Sequence, residues 1–451
     1  MRIADLAGRR VAVWGFGREG RAALAALQAR VPDSMFKVFC SDAEAEGIRG
    51  AAHAVTTAPD AAALSAFDVV IKSPGISAYR PEIIEAQHNG TLFTSGTALW
   101  FAEHPEARVI AVTGTKGKST VTALIAHLLR ALGLRTALAG NIGLPLLELL
   151  DPPALPDWWV IELSSFQTRA ASRVEIGVVN NLYEEHLDWH GTRERYAADK
   201  LALTYAARTL VVNALQPVLV TRTAAHTRRI LFGDADGWHV RDSAIFRDSQ
   251  RVLDIGALPL PGEHNALNVC AALTAIEAAG EDALAALGSI GTFRALPHRL
   301  QALGERDGVT WIDDSIATTP QATLEALASL DGREITVLVG GHDRGLDWRA
   351  FAEAVQRDPP HAIVTMGANG ARIGASLRAS GGAYRLELVE TLAEAVTRAR
   401  AITPARGIVL LSPGAPSFDQ FRDYVERGRA FAALAGFDPD AIGMIEGLGI
   451  A

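Results

Sequence analysis

Short apolar runs recur along the chain, and most are followed by a turn and then by Ala and Leu at helical spacing. Residues 9–14, Arg-Arg-Val-Ala-Val-Trp, predict a strand that enters Gly15-Phe16-Gly17-Arg18-Glu19-Gly20 and then a helix. Residues 36–40 and 68–71 predict two more strands of that set. From about residue 96 the pattern starts again, with strands at 109–112, 159–163, 178–181 and 209–213. Between the first two lies a helix at 120–132, stopped by Gly133. Shorter, more polar strands fill 220–260, and a helix of small residues spans 267–279. A third set follows Leu296-Pro297-His298-Arg299, with strands at 309–312, 336–339 and 408–411. Strand and helix in alternation predict α/β architecture with mainly parallel sheets. The segmentation predicts three domains, 1–95, 96–297 and 298–451.

A chain of 451 residues fits two to four domains at roughly 100–200 residues each. The formal net charge of −8 argues against bulk nucleic-acid binding, which needs a concentrated basic surface. The two cysteines, Cys40 and Cys270, are neither a disulfide framework nor a zinc-ligand spacing. The first residues lack the charged-then-apolar pattern of a signal peptide, and no apolar run is long enough to span a bilayer. A cytoplasmic protein without membrane or nucleic-acid partners is expected.

The strongest chemical signal is Thr113-Gly114-Thr115-Lys116-Gly117-Lys118-Ser119-Thr120, between a predicted strand and helix. Backbone N–H groups of such a loop surround phosphate oxygens, and the helix N-terminus adds positive potential. Lys118 is placed to neutralise β- and γ-phosphates, and Ser119 or Thr120 to hold magnesium. Val112 stands where the long form of the motif has its first glycine, so the match is to the shorter Gly-x-x-Gly-Lys-Ser form. Taken alone the loop indicates NTP binding and no particular reaction.

Glu162 ends a predicted strand in Ile161-Glu162-Leu163-Ser164-Ser165-Phe166-Gln167, where an acid beside a phosphate loop can take a magnesium ion. His186 follows the next strand, in Glu184-Glu185-His186-Leu187-Asp188-Trp189-His190-Gly191, and Lys200 follows in Tyr196-Ala197-Ala198-Asp199-Lys200. By themselves these read as a solvated loop histidine and a surface helix lysine. Near the N-terminus, Gly15-x-Gly17-x-x-Gly20 with Asp42 about twenty residues on fits a dinucleotide fingerprint. On its own it would suggest an NAD-linked oxidoreductase, which leaves the phosphate loop and the third domain unexplained.

The loop at 114–120 closely resembles the ATP loop of the Mur ligases and their folylpolyglutamate synthetase relatives. The strings Glu162-Leu163-Ser164-Ser165-Phe166-Gln167 and His186-Leu187-Asp188-x-His190-Gly191…Lys200 resemble the signature of the muramyl-alanine:glutamate branch of that family. The resemblance spans nearly the whole chain. It implies a Rossmann-like N-terminal domain for a UDP-linked substrate, a central ATPase-type domain and a C-terminal Rossmann-like domain for the amino acid. The activity it implies is amide formation between UDP-N-acetylmuramoyl-L-alanine and glutamate through an acyl phosphate, in peptidoglycan precursor synthesis, with domain closure excluding water. It implies ATP and magnesium or manganese, with Ser119 and Glu162 holding one metal, His186 and Lys200 supporting a second, and Lys200 carbamylated. Lys118, His186 and Lys200 are then the expected catalytic set. Asn268, in Gly262-Glu263-His264-Asn265-Ala266-Leu267-Asn268, joins residues 114–120 as an expected ATP contact, with Arg299 and Asp314 from the third domain. Gly17, Arg18, Glu19, Ser73, Pro74, Gly75 and Asn141 are the expected contacts of the UDP-linked substrate. A monomer is expected.

The departures from the family cluster in the amino-acid domain. Asp314-Ser315-Ile316-Ala317-Thr318-Thr319-Pro320 has Ile316 where a lysine is usual and Thr319 where an asparagine is usual. Gly340-Gly341-His342-Asp343-Arg344-Gly345 carries Arg344 in place of lysine. Ser417 is kept, and Tyr424 stands where a phenylalanine is usual. Thr318, Thr319, Arg344, Ser417 and Tyr424 are the expected amino-acid contacts. Arg344 can grip a carboxylate bidentately, as lysine cannot. The pattern is similar to a branch that adds L-glutamate and relies on a separate epimerase acting on the product. A D-glutamate enzyme is the alternative reading, and folylpolyglutamate synthesis a lesser one.

Overall fold

The computed structural model describes residues 1–451 apart from 51, 184–186, 261, 295, 331, 344, 444 and 446 and the side chains at 43, 187 and 188. The chain parts into two compact units, one of Met1–Phe293 with Gly447–Ala451, the other of Arg294–Glu446.

The first unit opens with a parallel sheet of β1 (Val11–Trp14), β2 (Phe36–Phe39), β3 (Ala52–Val55), β4 (Val69–Lys72) and β5 (Leu92–Thr94), in the order β3-β2-β1-β4-β5. Val11, Val13, Phe36, Val38, Val69 and Ile71 bury one face, and Ala12, Trp14, Phe39 and Val70 the other. Burial on both faces is why β1 and β4 read as continuous apolar runs and not as alternation.

A second sheet in the same unit takes β6 (Val109–Thr113), β7 (Thr136–Gly140), β8 (Trp158–Glu162), β9 (Val174–Val179), β10 (Ala207–Asn213) and β11 (Arg229–Phe232), in the parallel order β11-β10-β9-β6-β8-β7. The helix Lys118–Ala131 packs on it and against the helix Glu263–Ala278. An antiparallel meander, β12 (Trp238–Arg241), β13 (Ala244–Arg247) and β14 (Gln250–Asp254), follows. Its first turn places Asp242 and Ser243 at φ 49° and 56°, the left-handed pair of a two-residue hairpin.

The second unit is built on β15 (Gln301–Arg306), β16 (Val309–Asp313), β17 (Ile335–Val339), β18 (Ala362–Thr365), β19 (Arg385–Leu388) and β20 (Ile408–Leu411). They are ordered β15-β16-β20-β17-β18-β19, with β15 the antiparallel edge, and apolar clusters cover both faces. The last strand, β21 (Gly449–Ile450), pairs antiparallel with β7 in the first unit's second sheet. The architecture is α/β with mainly parallel sheets. The expected boundary at 95/96 falls between β5 and the helix Gly96–Glu103, and that at 297/298 just past the division at Phe293.

Element ends differ from the expected ones where side chains take over from periodicity. The strand expected at 178–181 is Val174–Val179, so Asn180 and Asn181 lie beyond its end. The helix expected at 120 starts at Lys118, because Gly117 at φ +73° turns the chain straight into it. Among the described residues no helix is long and apolar enough to cross a membrane.

Candidate active site

The carboxyl ends of β6 and β8 are joined by Thr113 Oγ1, which donates to Leu163 O at 2.8 Å. Residues 114–117 then form the loop between β6 and its helix. A Cβ on Gly117 would lie 2.5 Å from Asn268 Oδ1 and 2.7 Å from Asn180 Nδ2, so the position is closed to any side chain. Asparagines clamp the loop from behind. Asn181 Oδ1 accepts from Thr115 N–H at 2.9 Å and Lys116 N–H at 2.7 Å. Asn180 and Asn181 both donate to Lys116 O at 3.0 Å, and Asn180 Nδ2 donates to Asn268 Oδ1 at 2.9 Å. Thr115 Oγ1 shares a hydrogen bond of 2.7 Å with the Tyr196 hydroxyl, and Lys118 Nζ donates to Thr115 O at 2.9 Å. Ser119 and Thr120 lie in the first turn of the helix, Ser119 half-buried and Thr120 buried. Sequence reasoning missed the Asn180–Asn181 clamp. Its only signal was a tandem amide at a strand end.

Glu162 is the last residue of β8 and is 1% exposed. Its Oε1 accepts from Asn141 Nδ2 at 2.8 Å, while Oε2 is buried with no hydrogen-bond partner among the described residues. A buried carboxylate oxygen without a donor costs on the order of 1–3 kcal/mol or more, and a cation offsets that cost. Among the described residues no three His, Cys, Asp or Glu side chains gather into a metal cage. One carboxylate and a helix-end hydroxyl, with phosphate oxygens completing the shell, suit a hard divalent cation of the magnesium type. His186 lies outside the described residues. Lys200, 2% exposed at the end of the helix Arg193–Lys200, donates from Nζ to Gly114 O at 2.6 Å and lies 5.1 Å from the Tyr196 ring centre.

The expected contacts of the UDP-linked substrate come from three segments. A Cβ on Gly20 would lie 1.9 Å from Gly15 O, so the helix Arg18–Arg30 rests directly on the first glycine turn. Ser73 Oγ donates to Gly15 O at 3.0 Å and its N–H to Trp14 O at 2.8 Å. Arg18 Nη1 donates to Gly143 O at 3.1 Å, which brings Gly17–Glu19 beside the segment of Asn141. Burial pushes the Glu19 carboxyl up to about 7, against the opposing charge of Arg18. Lys72 donates to Ile76 O at 2.9 Å and faces the Trp189 ring at 5.5 Å. Burial pulls its ammonium down to about 8, opposed by Asp199. Pro74 O accepts from Trp189 Nε1 at 3.0 Å, and a Cβ on Gly75 would meet nothing within 4 Å among the described residues.

In the second unit, Asp314 follows β16 and accepts from Ser412 Oγ at 2.8 Å and Leu300 N–H at 3.1 Å. Burial pushes its carboxyl up to about 7, against these hydrogen bonds and the charge of Arg299. Thr319 caps the helix Pro320–Ala328, its hydroxyl accepting from Ala322 N–H at 3.3 Å, and Thr318 and Ile316 are half-buried. Ser417 is buried, and Tyr424 opens the helix Tyr424–Ala435 with its carbonyl accepting from Ser315 Oγ at 2.8 Å. Arg427, which sequence reasoning did not single out, joins these segments. It donates to Ser315 Oγ at 3.0 Å, Ser315 O at 2.8 Å and Ala415 O at 2.9 Å, and burial pulls its guanidinium down to about 10. Arg344 lies outside the described residues.

Residues 112–276 match the model of the Mur ligase middle domain and residues 298–414 that of the Mur ligase, glutamate ligase domain. The UDP-N-acetylmuramoyl-L-alanine–L-glutamate ligase of Xanthomonas euvesicatoria pv. vesicatoria is 52% identical over 100% of both chains. The protein of that name from Micromonospora sp. is 39% identical, over 96% of this chain and 97% of its own. Among solved structures, the UDP-N-acetylmuramate-alanine ligase of Thermotoga maritima superposes with a TM-score of 0.60 at 20% identity, covering 94% of this chain and 98% of its own.

Proposed function

The chain belongs to the Mur ligase family, and from that premise we propose that it joins L-glutamate to UDP-N-acetylmuramoyl-L-alanine with ATP, in peptidoglycan precursor synthesis. The observation that carries this reading is the full-length likeness, 52% identical over 100% of both chains, to a ligase of that name.

The substrate alanine carboxylate attacks the γ-phosphorus of ATP, ADP leaves, and an acyl phosphate forms. The glutamate amine then attacks the acyl carbon, and the tetrahedral intermediate expels phosphate. The protein's part is positioning and charge stabilisation. Residues 114–120 wrap the phosphates, and Lys118 offsets the charge that grows on the leaving group. Asn268 acts by holding the loop through Asn180. Magnesium, held by Ser119 and Glu162, would supply further neutralisation. Glu162 Oε2, without a partner among the described residues, supports that role. Lys200, buried beside Gly114 O, is poised at the same loop, and carbamylation would turn it into an anion able to support a second metal with His186. Gly17, Arg18, Glu19, Ser73, Pro74, Gly75 and Asn141 take the UDP-linked substrate. Arg299 and Asp314 complete the ATP set, and Thr318, Thr319, Arg344, Ser417 and Tyr424 the glutamate set. Residues 1–95, 96–297 and 298–451 carry the three binding tasks. An L-glutamyl product would call for a separate epimerase, and a UDP-linked precursor and ATP place the reaction in the cytoplasm.

The test is phosphate release with ATP, magnesium and UDP-N-acetylmuramoyl-L-alanine, comparing L- with D-glutamate and identifying the adduct by mass. Turnover with L-glutamate is expected. Preference for D-glutamate would overturn the stereochemical part, and no turnover with either would overturn the substrate assignment.

A further inference from the structure

Asp199, one residue before Lys200 and 1% exposed, is the hub of a hydrogen-bond network. His190 Nδ1 meets its Oδ2 at 2.6 Å, the Tyr79 hydroxyl donates to Oδ1 at 2.9 Å and Oδ2 at 2.8 Å, and Arg169 donates from Nε to Oδ1. On the far side of the imidazole, His190 Nε2 meets Ser165 Oγ at 3.0 Å. Serine, histidine and aspartate in a row are the parts of a nucleophilic triad, but Ser165 and His190 are 3% and 0% exposed. A hydroxyl sealed from solvent cannot attack a substrate, so another role is required.

The two ends of the network show what that role is. Ser165 lies three residues after Glu162, and Asp199 immediately precedes Lys200. Tyr79 belongs to the segment that begins at Ser73-Pro74-Gly75, and Trp189, next to His190, donates to Pro74 O at 3.0 Å and meets the Tyr79 ring edge-on at 5.8 Å. One carboxylate therefore ties a segment of the UDP-substrate set to the helix end that carries Lys200. Hydrogen bonds to a charged group are roughly twice as strong as neutral ones, so a buried carboxylate with donors on three sides fixes its helix end firmly.

We propose that Asp199 is a positioning residue that, through Tyr79 and His190, holds the Lys200 side chain at Gly114 and passes the placement of segment 73–79 to it. The inference rests on the ligase reading above, and it locates in Asp199 the coupling between the nucleotide-linked substrate and the lysine.

The experiment is steady-state kinetics of full-length Tyr79→Phe, Asp199→Asn and the double variant, varying ATP and the UDP-linked substrate separately, with thermal unfolding alongside. Tyr79→Phe removes one hydroxyl and leaves the ring against Trp189. We expect kcat/KM for the UDP-linked substrate to fall by about tenfold in either single variant, with KM for ATP within about twofold. The double variant should be no worse than the weaker single, because both remove the same link. A fall in melting temperature with all parameters depressed together and additively would assign Asp199 a purely structural role and overturn the proposal. If Asp199→Asn does not fold, unchanged kinetics in Tyr79→Phe overturn it on their own. Wild-type turnover is measured first, since its absence defeats the ligase reading and not the link.

Discussion

Asn141 Nδ2 donates to Glu162 Oε1 at 2.8 Å, which fixes the carboxylate at the end of β8 while its other oxygen stays buried and unpartnered among the described residues. The pair links the segment expected to meet the muramyl substrate with the acid expected to hold metal. Orientation of the carboxylate is thus settled before any ligand arrives, which lowers the reorganisation needed at the reacting phosphate.

Glu162→Gln should separate activity from stability. The amide keeps the size of the side chain and removes a buried carboxylate whose Oε2 has no donor among the described residues. Turnover should drop by about 10²–10³, the scale of removing one preorganised electrostatic group. The melting temperature should stay level or rise, because burying a neutral group is less costly than burying an unpaired charge. Thermal unfolding and phosphate release on the same preparation check this, and a large loss of stability with activity kept would mean that Glu162 is a structural acid.

Gly117→Ala tests the loop. The left-handed backbone at φ +73° costs a residue with a Cβ about 1–2 kcal/mol, and that Cβ would strike Asn268 Oδ1 at 2.5 Å. The asparagine clamp must open to admit it. Affinity for ATP should fall by about tenfold or more, each tenfold being about 1.4 kcal/mol. Titration with ATP alone, without acceptor, reads this directly.

Much of this was legible in the sequence for a physical reason. Strands buried on both faces leave continuous apolar runs, so β1, β6 and β20 stand out. A phosphate loop demands glycines at fixed places, so residues 114–117 announce themselves. Edge strands such as β3, with sequence Ala-His-Ala-Val, are half-exposed and carry little signal. Partners set by tertiary contact left none at all. Nothing local in the sequence ties Asn180 to Lys116, Arg427 to Ser315 or Tyr79 to Asp199. Thr319 shows the same limit: the sequence marks it as an expected amino-acid contact but not as the N-cap of the helix Pro320–Ala328, which its hydroxyl also is.

Asp314 predicts a pH effect on the second unit. Its carboxyl is held near 7 by burial, against 3.8 when exposed. A raised folded value means that the folded state binds this proton more tightly than the unfolded chain. The associated stability is full below about 3.8 and is lost as pH rises through about 7. Asp314→Asn, which cannot ionise, should match the wild type near pH 4 and become progressively more stable relative to it up to pH 8. The ceiling is about 4 kcal/mol, less whatever the altered hydrogen bonds to Ser412 and Leu300 give back. Denaturant midpoints of both proteins across that range measure it, and a constant difference would mean that the carboxyl titrates normally.

The acceptor pocket gives the sharpest functional prediction. Ile316 and Arg344 redistribute positive charge relative to the usual lysines, and a bidentate guanidinium sets a carboxylate in one plane where an ammonium does not. Restoring the family pattern with Ile316→Lys, Thr319→Asn and Arg344→Lys should shift the ratio of kcat/KM for L- over D-glutamate toward the D-isomer by about tenfold, or about 1.4 kcal/mol of differential binding. The fold should tolerate the change. Ile316 is half-buried, and asparagine is as good an N-cap as threonine, so the helix Pro320–Ala328 keeps its start. KM for the UDP-linked substrate should be unaffected, since none of the three residues belongs to that set. An unchanged ratio with both isomers slowed alike would mean that stereochemistry is selected elsewhere, with Ser417 and Tyr424 the next positions to exchange.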